Sequence, residues 1–491
     1  MSRTAVLDRL VPASQQEDAW QSRYRNVRQQ HWDAIAERGP RGLGSYYHRR
    51  LAHMYQSMVP PGLRVLELGC GSGDLLAAMQ PSFGVGIDFS AAAIRGARAR
   101  HPTLHFVQAD AHQPGILGTF DIIIASDLLN DLWDVQQVFE WSRALSAPHT
   151  RVICNFYSRV WELPLRAAER VGAATPRLQQ NWFTLPDVAN LFRFTGFEPF
   201  REFRDVLAPV DVPLVTAAVN RVLARLWPFE KLGLTNFIVA RPLVSTATRS
   251  EPPPLVSVIV PARNEAGNIP AIIARTPEMG AGTELVFVEG HSTDGTYEAI
   301  ARAIAAAPGR RCRLLQQSGR GKGDAVRLGF AEAAGDVLMI LDADLTVPPE
   351  DLPRFYHGLV GGVAEFVNGV RLVYPMEGEA MRFANLLGNK FFSAAFSWLL
   401  GQPIKDTLCG TKVLWKRAYE AIARNRGYFG EFDPFGDFDL IFGAARLNLR
   451  ICDLPVRYRA RTYGTTNIQR WRHGLMLLRM VAVAAGRIKF I

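Results

Sequence analysis

The sequence predicts a chain of two doubly wound α/β domains. The chain has 491 residues, which is more than one ordinary hydrophobic core holds together. Apolar strand-like runs alternate with helical stretches in both halves, a pattern typical of parallel strands joined by crossover helices. Between the halves, residues 244–254 read VSTATRSEPPP, and three consecutive prolines fit neither a helix nor a strand interior. We therefore predict domains at 1–243 and 255–491, joined by this linker.

Composition and charge favour globular domains with an anionic partner. Hydrophobic residues make up 48% of the chain, which suits well-packed cores. The formal net charge of +10 favours a nucleotide, a nucleic acid or an acidic membrane surface as partner. The five cysteines lack the spacing of a zinc or redox site, so we expect reduced thiols. Because we find neither a secretion signal nor an apolar run of membrane-spanning length, we expect a cytoplasmic protein.

The first half supplies the strands of the first predicted sheet. Residues 1–44 are polar with scattered Trp and Arg, and we expect helices there that cover the domain. Two late apolar segments, 197–203 and 236–240, suit a closing hairpin at the sheet edge. The runs predicted as parallel strands are 64–68, 83–87, 104–108, 120–125 and 151–155.

An apolar strand runs into a glycine-rich turn at residues 65–74, VLELGCGSGD. Gly69, Gly71 and Gly73 let the backbone turn tightly and approach a ligand, and the next helix presents its N-terminus to that ligand. Asp88 ends the following strand, at the spacing where an acid reaches ribose hydroxyls. The chain has an aspartate where a nicotinamide-binding fingerprint has its third glycine, which argues against a dehydrogenase.

This run resembles the class I S-adenosylmethionine-dependent methyltransferases, whose E/D-x-G-x-G-x-G motif is matched by Glu67 and the three glycines. The resemblance covers most of residues 46–155 and implies a Rossmann-like fold with S-adenosylmethionine as cofactor. It implies that Glu67 and the glycines hold the methionine portion, Asp88 the ribose hydroxyls and Asp110 the adenine amine. It also implies that the segment Ser126 to Leu129, after the strand FDIIIA, lines the site beside the sulfonium.

Methyl transfer is an in-line displacement, so positioning does most of the catalysis. A base is needed only if the acceptor must lose a proton. The sequence leaves the acceptor open. Five side chains remain open for the role of base, namely His105, His112, Asn130, Asp131 and Tyr157.

The second half restarts the strand–helix alternation and ends one strand in two carboxylates. The segment GRGKGDAVRLGF at 319–330 lacks the complete phosphate-binding loop of an ATPase. The strand LMILDAD, at 338–344, carries Asp342 and Asp344. Both can meet one ion only where the strand ends in a turn. Such hard oxygen ligands suit Mg²⁺ or Mn²⁺ bridged to a diphosphate.

These segments, together with SVIVPARNEAGNI and ELVFVEGHSTDGT, resemble family 2 glycosyltransferases of the GT-A fold. The chain looks most like the dolichyl-phosphate mannosyltransferase and polyprenyl-phosphate glycosyltransferase branch, over residues 257–461. The resemblance implies inverting transfer from a nucleotide-diphosphate sugar with Asp344 as the main metal ligand. It implies Lys322 and Asp342 at the diphosphate. The residues it implies around the base and ribose are Pro261, Ala262, Asn264, Glu265 and Glu289. Because Glu289 replaces the usual aspartate, the sequence does not decide whether the nucleotide of the donor is uridine or guanosine.

Two acceptor classes remain open for the glycosyl transfer. A sugar hydroxyl needs a base, and the resemblance offers Asp437 and Asp439, which lie where inverting members carry their acidic residues, as the catalytic candidates for that role. A polyprenyl phosphate is already anionic and needs arginines instead. For that role the resemblance offers Arg371 and Arg382 as ligands of a lipid phosphate. Arg457, Arg459 and Arg461 would add to this cluster.

The sequence therefore predicts a bifunctional transferase that serves one pathway, such as bacterial surface polysaccharide or glycolipid assembly. The apolar residues of 383–400 and of the C-terminal segment would rest on the inner face of the plasma membrane or belong to the core. In an alternative, the first half is a non-catalytic module that senses the cofactor or recruits a partner. Nucleic-acid modification ranks last, because no stretch interleaves aromatic and basic residues convincingly.

Overall fold

The structure is a computed structural model that describes residues 13–38, 44–115, 118–171, 177–243, 252–371, 383–428, 436–459, 461, 463 and 470–490. The chain divides into two compact units, Met1–Leu243 and Val244–Ile491. Most of the predicted linker, residues 244–251, lies outside the described residues.

The first unit contains a seven-stranded sheet with helices on both faces. Its strands are β1 Arg64–Leu68, β2 Phe83–Asp88, β3 His105–Gln108, β4 Phe120–Ser126, β5 Ser146–Tyr157, β6 Phe197–Asp205 and β7 Thr235–Pro242. The α-helices are α1 Ala13–Arg38, α2 Gly44–Met58, α3 Asp74–Ala78, α4 Ala91–Arg100, α5 Val135–Ala144, α6 Glu162–Arg170, α7 Leu185–Phe194 and α8 Val215–Arg221. Short 3₁₀ turns occupy Arg159–Trp161, Leu223–Arg225 and Phe229–Leu232.

The strand order of this sheet is β3-β2-β1-β4-β5-β7-β6. Strands β1 to β5 pair in parallel, whereas β7 is antiparallel to β5 and β6 and forms the predicted closing pair with β6. The central strand residues Leu66, Ile87, Ile123 and Ile153 are fully buried, because helices cover both faces. The strand order reverses between β1 and β4, and such a reversal leaves a crevice at the carboxyl ends of the strands.

The second unit also contains a seven-stranded sheet. Its strands are β8 Val256–Ala262, β9 Thr283–Glu289, β10 Arg311–Gln316, β11 Val337–Ile340, β12 Phe366–Val370, β13 Lys412–Trp415 and β14 Ile451–Pro455. The α-helices are α9 Ile269–Arg275, α10 Thr296–Ala305, α11 Lys322–Glu332, α12 Leu352–Val360, α13 Phe383–Leu400, α14 Lys416–Arg424, α15 Asp437–Arg446 and α16 Arg470–Ala484. Three 3₁₀ turns and a π-helix complete the elements, at Ala266–Asn268, Pro349–Asp351, Arg426–Tyr428 and Ala485–Lys489.

The strand order here is β10-β9-β8-β11-β13-β12-β14. Strands β8 to β11 pair in parallel, and β13 runs antiparallel to β11 and β12. The loops after β8, β9 and β11 therefore leave the sheet at one edge. The predicted doubly wound α/β architecture is confirmed in both units.

Helices α13 and α16 combine core and exposed apolar side chains. Phe396, Leu399, Leu477 and Met480 belong to the core of the second unit, whereas Leu475 is 71% exposed. Among the described residues, we find no helix with the length and apolar character needed to cross a membrane.

Candidate active sites

In the glycine-rich turn of the first unit, neighbouring side chains pack against the first and last glycines but not against the middle one. Gly69, Gly71 and Gly73 have φ angles of 71°, 49° and 74°, a region that disfavours residues with a side chain. A Cβ added at Gly69 would stand 2.8 Å from Leu128, and one at Gly73 would stand 2.6 Å from Phe106. A Cβ at Gly71 would meet nothing within 4 Å. The turn thus leaves space for a ligand above Gly71.

Two acids support this turn. Asp88, at the end of β2, accepts the Gly71 N–H with Oδ2 and the Ser90 N–H with Oδ1, both at 2.9 Å. Glu67, on β1, is buried, and burial raises the pKa of its carboxyl well above the usual value. Its Oε2 has no hydrogen-bond partner in the described part of the chain. A buried carboxylate oxygen without a partner beside an open turn fits a ligand that carries an ammonium group.

Asp110 follows β3 and is held by a histidine. Its Oδ1 lies 2.6 Å from Nδ1 of His112, and its Oδ2 lies 3.7 Å from Arg25 of α1. Burial would raise the pKa of Asp110, but the hydrogen bonds from His112 outweigh it and lower the pKa. Nε2 of His112 accepts the Asp134 N–H at 3.1 Å, so Nδ1 carries the proton that faces Asp110. Since both ring nitrogens are engaged, His112 is a poor base in this arrangement.

Helix α1 fastens the loops that follow β2, β3 and β4. Oδ1 of Asp33 lies 2.5 Å from Oγ of Ser90 and 3.2 Å from the Ala92 nitrogen. Nε1 of Trp32 donates to Oδ2 of Asp131 at 3.1 Å. Together with the Arg25 contact, these bonds place α1 over the same edge as the glycine turn. Of the other predicted bases, Asn130 accepts the Tyr157 N–H at 2.9 Å, burial raises the pKa of Tyr157, and His105 is exposed.

Asp127 follows Ser126 at the end of β4 and belongs to the segment predicted to line the site, but the sequence analysis did not name it as a base. Its φ is 52°, which is uncommon for a residue with a side chain. Oδ1 accepts hydrogen bonds from Oη of Tyr47 at 2.9 Å and from Nδ2 of Asn155 at 2.6 Å. Oδ2 has no partner among the described residues. Burial raises the pKa of Asp127 to about 7. Neither the backbone angle nor the distant partners can be read from an acid that follows an apolar strand.

This pKa predicts a pH-dependent contribution to stability. The folded state keeps the Asp127 proton up to about pH 7, whereas an unfolded aspartate loses it near pH 3.8. The folded state therefore binds more protons between these values, so stability falls as the pH rises through this window. The full shift corresponds to at most about 4 kcal/mol in the free energy of unfolding. We expect Asp127→Asn, which cannot ionise, to gain thermal stability over wild type progressively from pH 4 to 7. A difference that stays constant across this range in thermal denaturation would contradict the assignment.

The two aspartates after β11 are both paired with cations. Oδ1 of Asp342 lies 2.6 Å from Nζ of Lys322, the first residue of α11. Burial would raise the pKa of Asp342, but Lys322 outweighs it and lowers the pKa. Asp344 accepts hydrogen bonds from Thr346 with Oδ1, at 2.7 Å from the hydroxyl and 3.1 Å from the backbone nitrogen. Its Oδ2 lies 2.7 Å from Nη2 of Arg461.

A glycine makes room for the Lys322–Asp342 pair. A Cβ on Gly410 would stand 2.0 Å from Oδ2 of Asp342 and 2.3 Å from Nζ of Lys322. We expect Gly410→Ala to separate this pair and cost about 2 kcal/mol, the scale of an overpacked core. Gly309→Ala is the matched control, because a Cβ there meets nothing within 4 Å. Thermal denaturation of both variants tests this, and equal melting temperatures would refute it.

The loops after β8 and β9 meet at the same edge. Pro261 and Ala262 end β8, and Ala262 is in register with Glu289 of β9. Oδ1 of Asn264 accepts the Thr293 N–H at 2.8 Å, and Glu289 accepts the N–H of Ser292 at 2.5 Å. The structure thus brings the predicted nucleotide-binding residues of β8 and β9 onto one edge.

Glu265 connects this edge to Asp344 through a shared arginine. Oε1 of Glu265 lies 3.0 Å from Nη1 of Arg461, whose Nη2 binds Asp344. Burial raises the pKa of Glu265, with Arg461 acting against it and the charge of Asp344 adding to it. The predicted donor-side acids thus lie together.

The structure describes one of the two arginines predicted to bind the acceptor phosphate. Arg371 is buried and makes a bidentate ion pair with Asp406, at 2.7 Å from Nε and 2.9 Å from Nη2. Two of its three guanidinium nitrogens are therefore held by an acid of the same unit. Arg382 lies outside the described residues. Asp437 lies 3.2 Å from the fully buried Lys412, which the sequence analysis missed.

Asp439 is paired as well, at 2.7 Å from Nε of Arg426. Both Asp437 and Asp439 therefore have a cationic side chain beside them. Across the described ranges, no group of three or more His, Cys, Asp or Glu side chains is arranged to hold a metal. A diphosphate-bound Mg²⁺ commonly takes only one or two protein carboxylates, so two aspartates such as Asp342 and Asp344 are enough for such an ion.

Comparisons with known proteins match each unit to a transferase family. The family model described as "Methyltransferase domain" matches residues 40–201, and "Glycosyl transferase family 2" matches residues 257–422. Dolichol-phosphate mannosyltransferase of Saccharomyces cerevisiae is 40% identical over 109 residues, which are 21% of this chain and 40% of that protein. Undecaprenyl-phosphate 4-deoxy-4-formamido-L-arabinose transferase of Aeromonas hydrophila is 33% identical over 112 residues, 22% of this chain and 34% of that protein.

The chain thus spans less than half the length of these two relatives. Among solved structures, glucosyl-3-phosphoglycerate synthase of Mycobacterium tuberculosis, in complex with Mn²⁺ and uridine diphosphate, is 21% identical with a TM-score of 0.35. That likeness covers 50% of this chain and 81% of the other. The predicted resemblance to both families is confirmed by the matches of the two family models. The chain contains a methyltransferase domain and a glycosyl transferase family 2 domain.

Proposed function

We propose that the chain is bifunctional, with metal-dependent, inverting glycosyl transfer in the second unit and S-adenosylmethionine-dependent methyl transfer in the first. The observation that carries the glycosyl transfer is the placing of Lys322, Asp342 and Asp344 with the loops of β8 and β9 at one edge of the sheet. A nucleotide-diphosphate sugar needs this combination of a ribose-binding edge, a cation and hard oxygen ligands.

Asp344 and Asp342 would hold Mg²⁺ or Mn²⁺, which would supply positive charge to the departing diphosphate. Lys322 brings an ammonium group to the same place from the first turn of α11. Its separation from Asp342 is kept short by the absence of a side chain at Gly410. These residues would act by holding positive charge beside the departing diphosphate. Preorganised charge of this kind supplies most of the stabilisation of the transition state.

The acceptor we favour is a polyprenyl phosphate. A hydroxyl acceptor must lose its proton to a base, but Asp437 is paired with Lys412 and Asp439 with Arg426. A phosphate oxygen is already anionic at neutral pH and needs no base. The names of the two relatives, an undecaprenyl-phosphate transferase and a dolichol-phosphate mannosyltransferase, support the same acceptor class. A glycan hydroxyl remains the second candidate.

For the first unit, Glu67, Gly71 and Asp88 fit S-adenosylmethionine, the cofactor that would supply the methyl group. Oε2 of Glu67, which has no partner among the described residues, would bind the ammonium group of the cofactor. The open space at Gly71 would let the cofactor approach the backbone of the turn, and Asp88 would bind its ribose. If the acceptor carries a proton, Oδ2 of Asp127 would take it as the methyl–sulfur bond breaks and the new bond forms. Asp127 thus replaces the bases chosen from the sequence in this proposal.

We further propose that the chain works in the cytoplasm at the inner face of the plasma membrane, on a surface polysaccharide or glycolipid. Phe391 is 56% exposed and Leu475 71% exposed on helices whose other faces lie in the core. Large apolar side chains exposed beside basic residues such as Arg479 are typical of helices that rest on a bilayer surface.

The proposal is tested by nucleotide-sugar turnover with Mg²⁺ or Mn²⁺, with short polyprenyl phosphates and sugar hydroxyls offered in parallel. We expect metal-dependent release of nucleotide diphosphate with transfer to the phosphate. Transfer to hydroxyls alone would return the role of base to Asp437 or Asp439. No turnover of any uridine or guanosine diphosphate sugar would refute the glycosyl transfer. Methyl transfer is followed in the same mixtures with labelled S-adenosylmethionine.

A further inference from the structure

The chain that follows β14 crosses the donor side of the second unit. The Arg459 N–H donates to the carbonyl oxygen of Thr346 at 2.9 Å, next to the two aspartates. Two residues later, Arg461 reaches Asp344 and Glu265. The ring of Tyr463 packs so closely on the loop after β8 that a Cβ on Gly267 would stand 2.6 Å from it. Arg459, Arg461 and Tyr463 therefore contact both loops that the donor would contact.

Arg461 occupies the carboxylate oxygen that a metal ion needs. Oδ1 of Asp344 already accepts two hydrogen bonds from Thr346, so Oδ2 is the oxygen with capacity left. Nη2 of Arg461 holds that oxygen at 2.7 Å. The other end of the guanidinium holds Glu265 at 3.0 Å, so one cation separates two neighbouring acids. Without Arg461, these two acids would face each other with no charge between them and would attract a divalent ion more strongly.

We propose that Arg461 is a positioning residue that occupies the metal-binding oxygen of Asp344 in the donor-free enzyme and leaves it when metal and donor diphosphate arrive together. A planar guanidinium released from two carboxylates can bind the diphosphate bidentately, so the donor compensates the lost ion pairs. Metal alone offers no such compensation. Metal and nucleotide diphosphate therefore bind cooperatively, and Arg461 adds to the coupling that direct contact between metal and diphosphate supplies. This inference rests on the proposed metal-dependent glycosyl transfer.

Mn²⁺ binding, followed by the loss of the free-ion electron paramagnetic resonance signal, tests the inference without turnover. Full-length wild type, Arg461→Gln, Asp344→Asn and the double variant are titrated with Mn²⁺ alone and with uridine or guanosine diphosphate. Arg275→Gln is the matched control, because Arg275 makes a comparable bidentate pair, at 2.8 and 3.0 Å, with Glu350 rather than with Asp344 or Glu265. Circular dichroism confirms that each variant is folded.

We expect Arg461→Gln to bind Mn²⁺ alone about tenfold more tightly than wild type, the effect of about 1.4 kcal/mol of lost competition. The gain should vanish in the double variant and be absent in Arg275→Gln. Nucleotide diphosphate should tighten Mn²⁺ binding in wild type but much less in Arg461→Gln. If wild type binds Mn²⁺ with nucleotide through Asp344, yet Arg461→Gln binds Mn²⁺ alone no more tightly, the inference is wrong and the proposed function stands. If no variant binds Mn²⁺ even with nucleotide, the metal-dependent function itself fails.

Discussion

Asp344→Asn should reduce sugar transfer by at least about a hundredfold, because it removes the negative charge that would hold the metal ion at the departing diphosphate. The substitution keeps the size of the side chain and an oxygen that can accept the two hydrogen bonds from Thr346, so the local fold should persist. The loss should appear in kcat and should not be recovered by moderate increases in metal concentration. Release of nucleotide diphosphate, measured across a range of Mn²⁺ concentrations, gives both kcat and its dependence on the metal concentration.

Asp351→Asn is the control for this variant, because Asp351 belongs to the same unit but pairs only weakly with Arg354, at 3.6 Å. We expect its transfer rate to stay within about twofold of wild type, as for most surface substitutions. If Asp344→Asn keeps more than about a third of the wild-type rate, Asp344 is not the metal ligand and the predicted metal site must be sought elsewhere.

Asp88→Ala should weaken the binding of S-adenosylmethionine by about a hundredfold. The carboxylate has two tasks in our proposal: it accepts the Gly71 N–H at 2.9 Å, which fixes the glycine turn, and it faces the ribose of the cofactor. Loss of a charge-assisted hydrogen bond on each side amounts to about 3 kcal/mol. Isothermal titration with S-adenosylmethionine and with its demethylated product measures this directly.

The chain offers a matched control in Asp121, at the beginning of β4. Oδ2 of Asp121 also accepts a backbone N–H, that of Arg64, at 2.8 Å, but it lies at the opposite edge of the parallel sheet from the glycine turn. Asp121→Ala should lower stability without changing cofactor affinity. Equal losses of affinity in both variants would mean that we have measured unfolding rather than binding. Wild-type binding without any methyl transfer would favour the cofactor-sensing alternative for this unit.

The strands could be predicted because they leave a simple signal in the sequence. Buried parallel strands are covered on both faces, so Leu66, Ile123 and Val258 sit in continuous apolar runs rather than in alternating ones. The glycine turn and the two aspartates after β11 were also readable, since each follows such a run within a few residues. Local patterns of this kind depend only on the chain around them.

The parts that escaped prediction depend on partners far away in the chain. Arg371 was predicted as a ligand of a lipid phosphate, and nothing in the sequence indicates that Asp406, 35 residues later, accepts hydrogen bonds from its Nε and Nη2. Asp127 looks like an ordinary strand-end acid until Tyr47, 80 residues earlier, donates to it. Lys412 begins β13, a strand of four residues, and so short a pattern does not indicate whether its lysine is buried or exposed. Such pairings arise from tertiary packing, which single-sequence patterns do not contain.

The attachment of α1 bears on how this protein can be divided for experiments. The family match begins at residue 40, after α1 has ended. A fragment cut at that point would lose the bonds from Trp32 to Asp131 and from Asp33 to Ser90, and the loops beside the glycine turn would no longer be fastened. The region that is recognisable by similarity therefore leaves out α1, whose side chains hold the loops beside the glycine turn. Truncations designed on the match alone should yield a sheet whose ligand-facing edge is exposed to proteases.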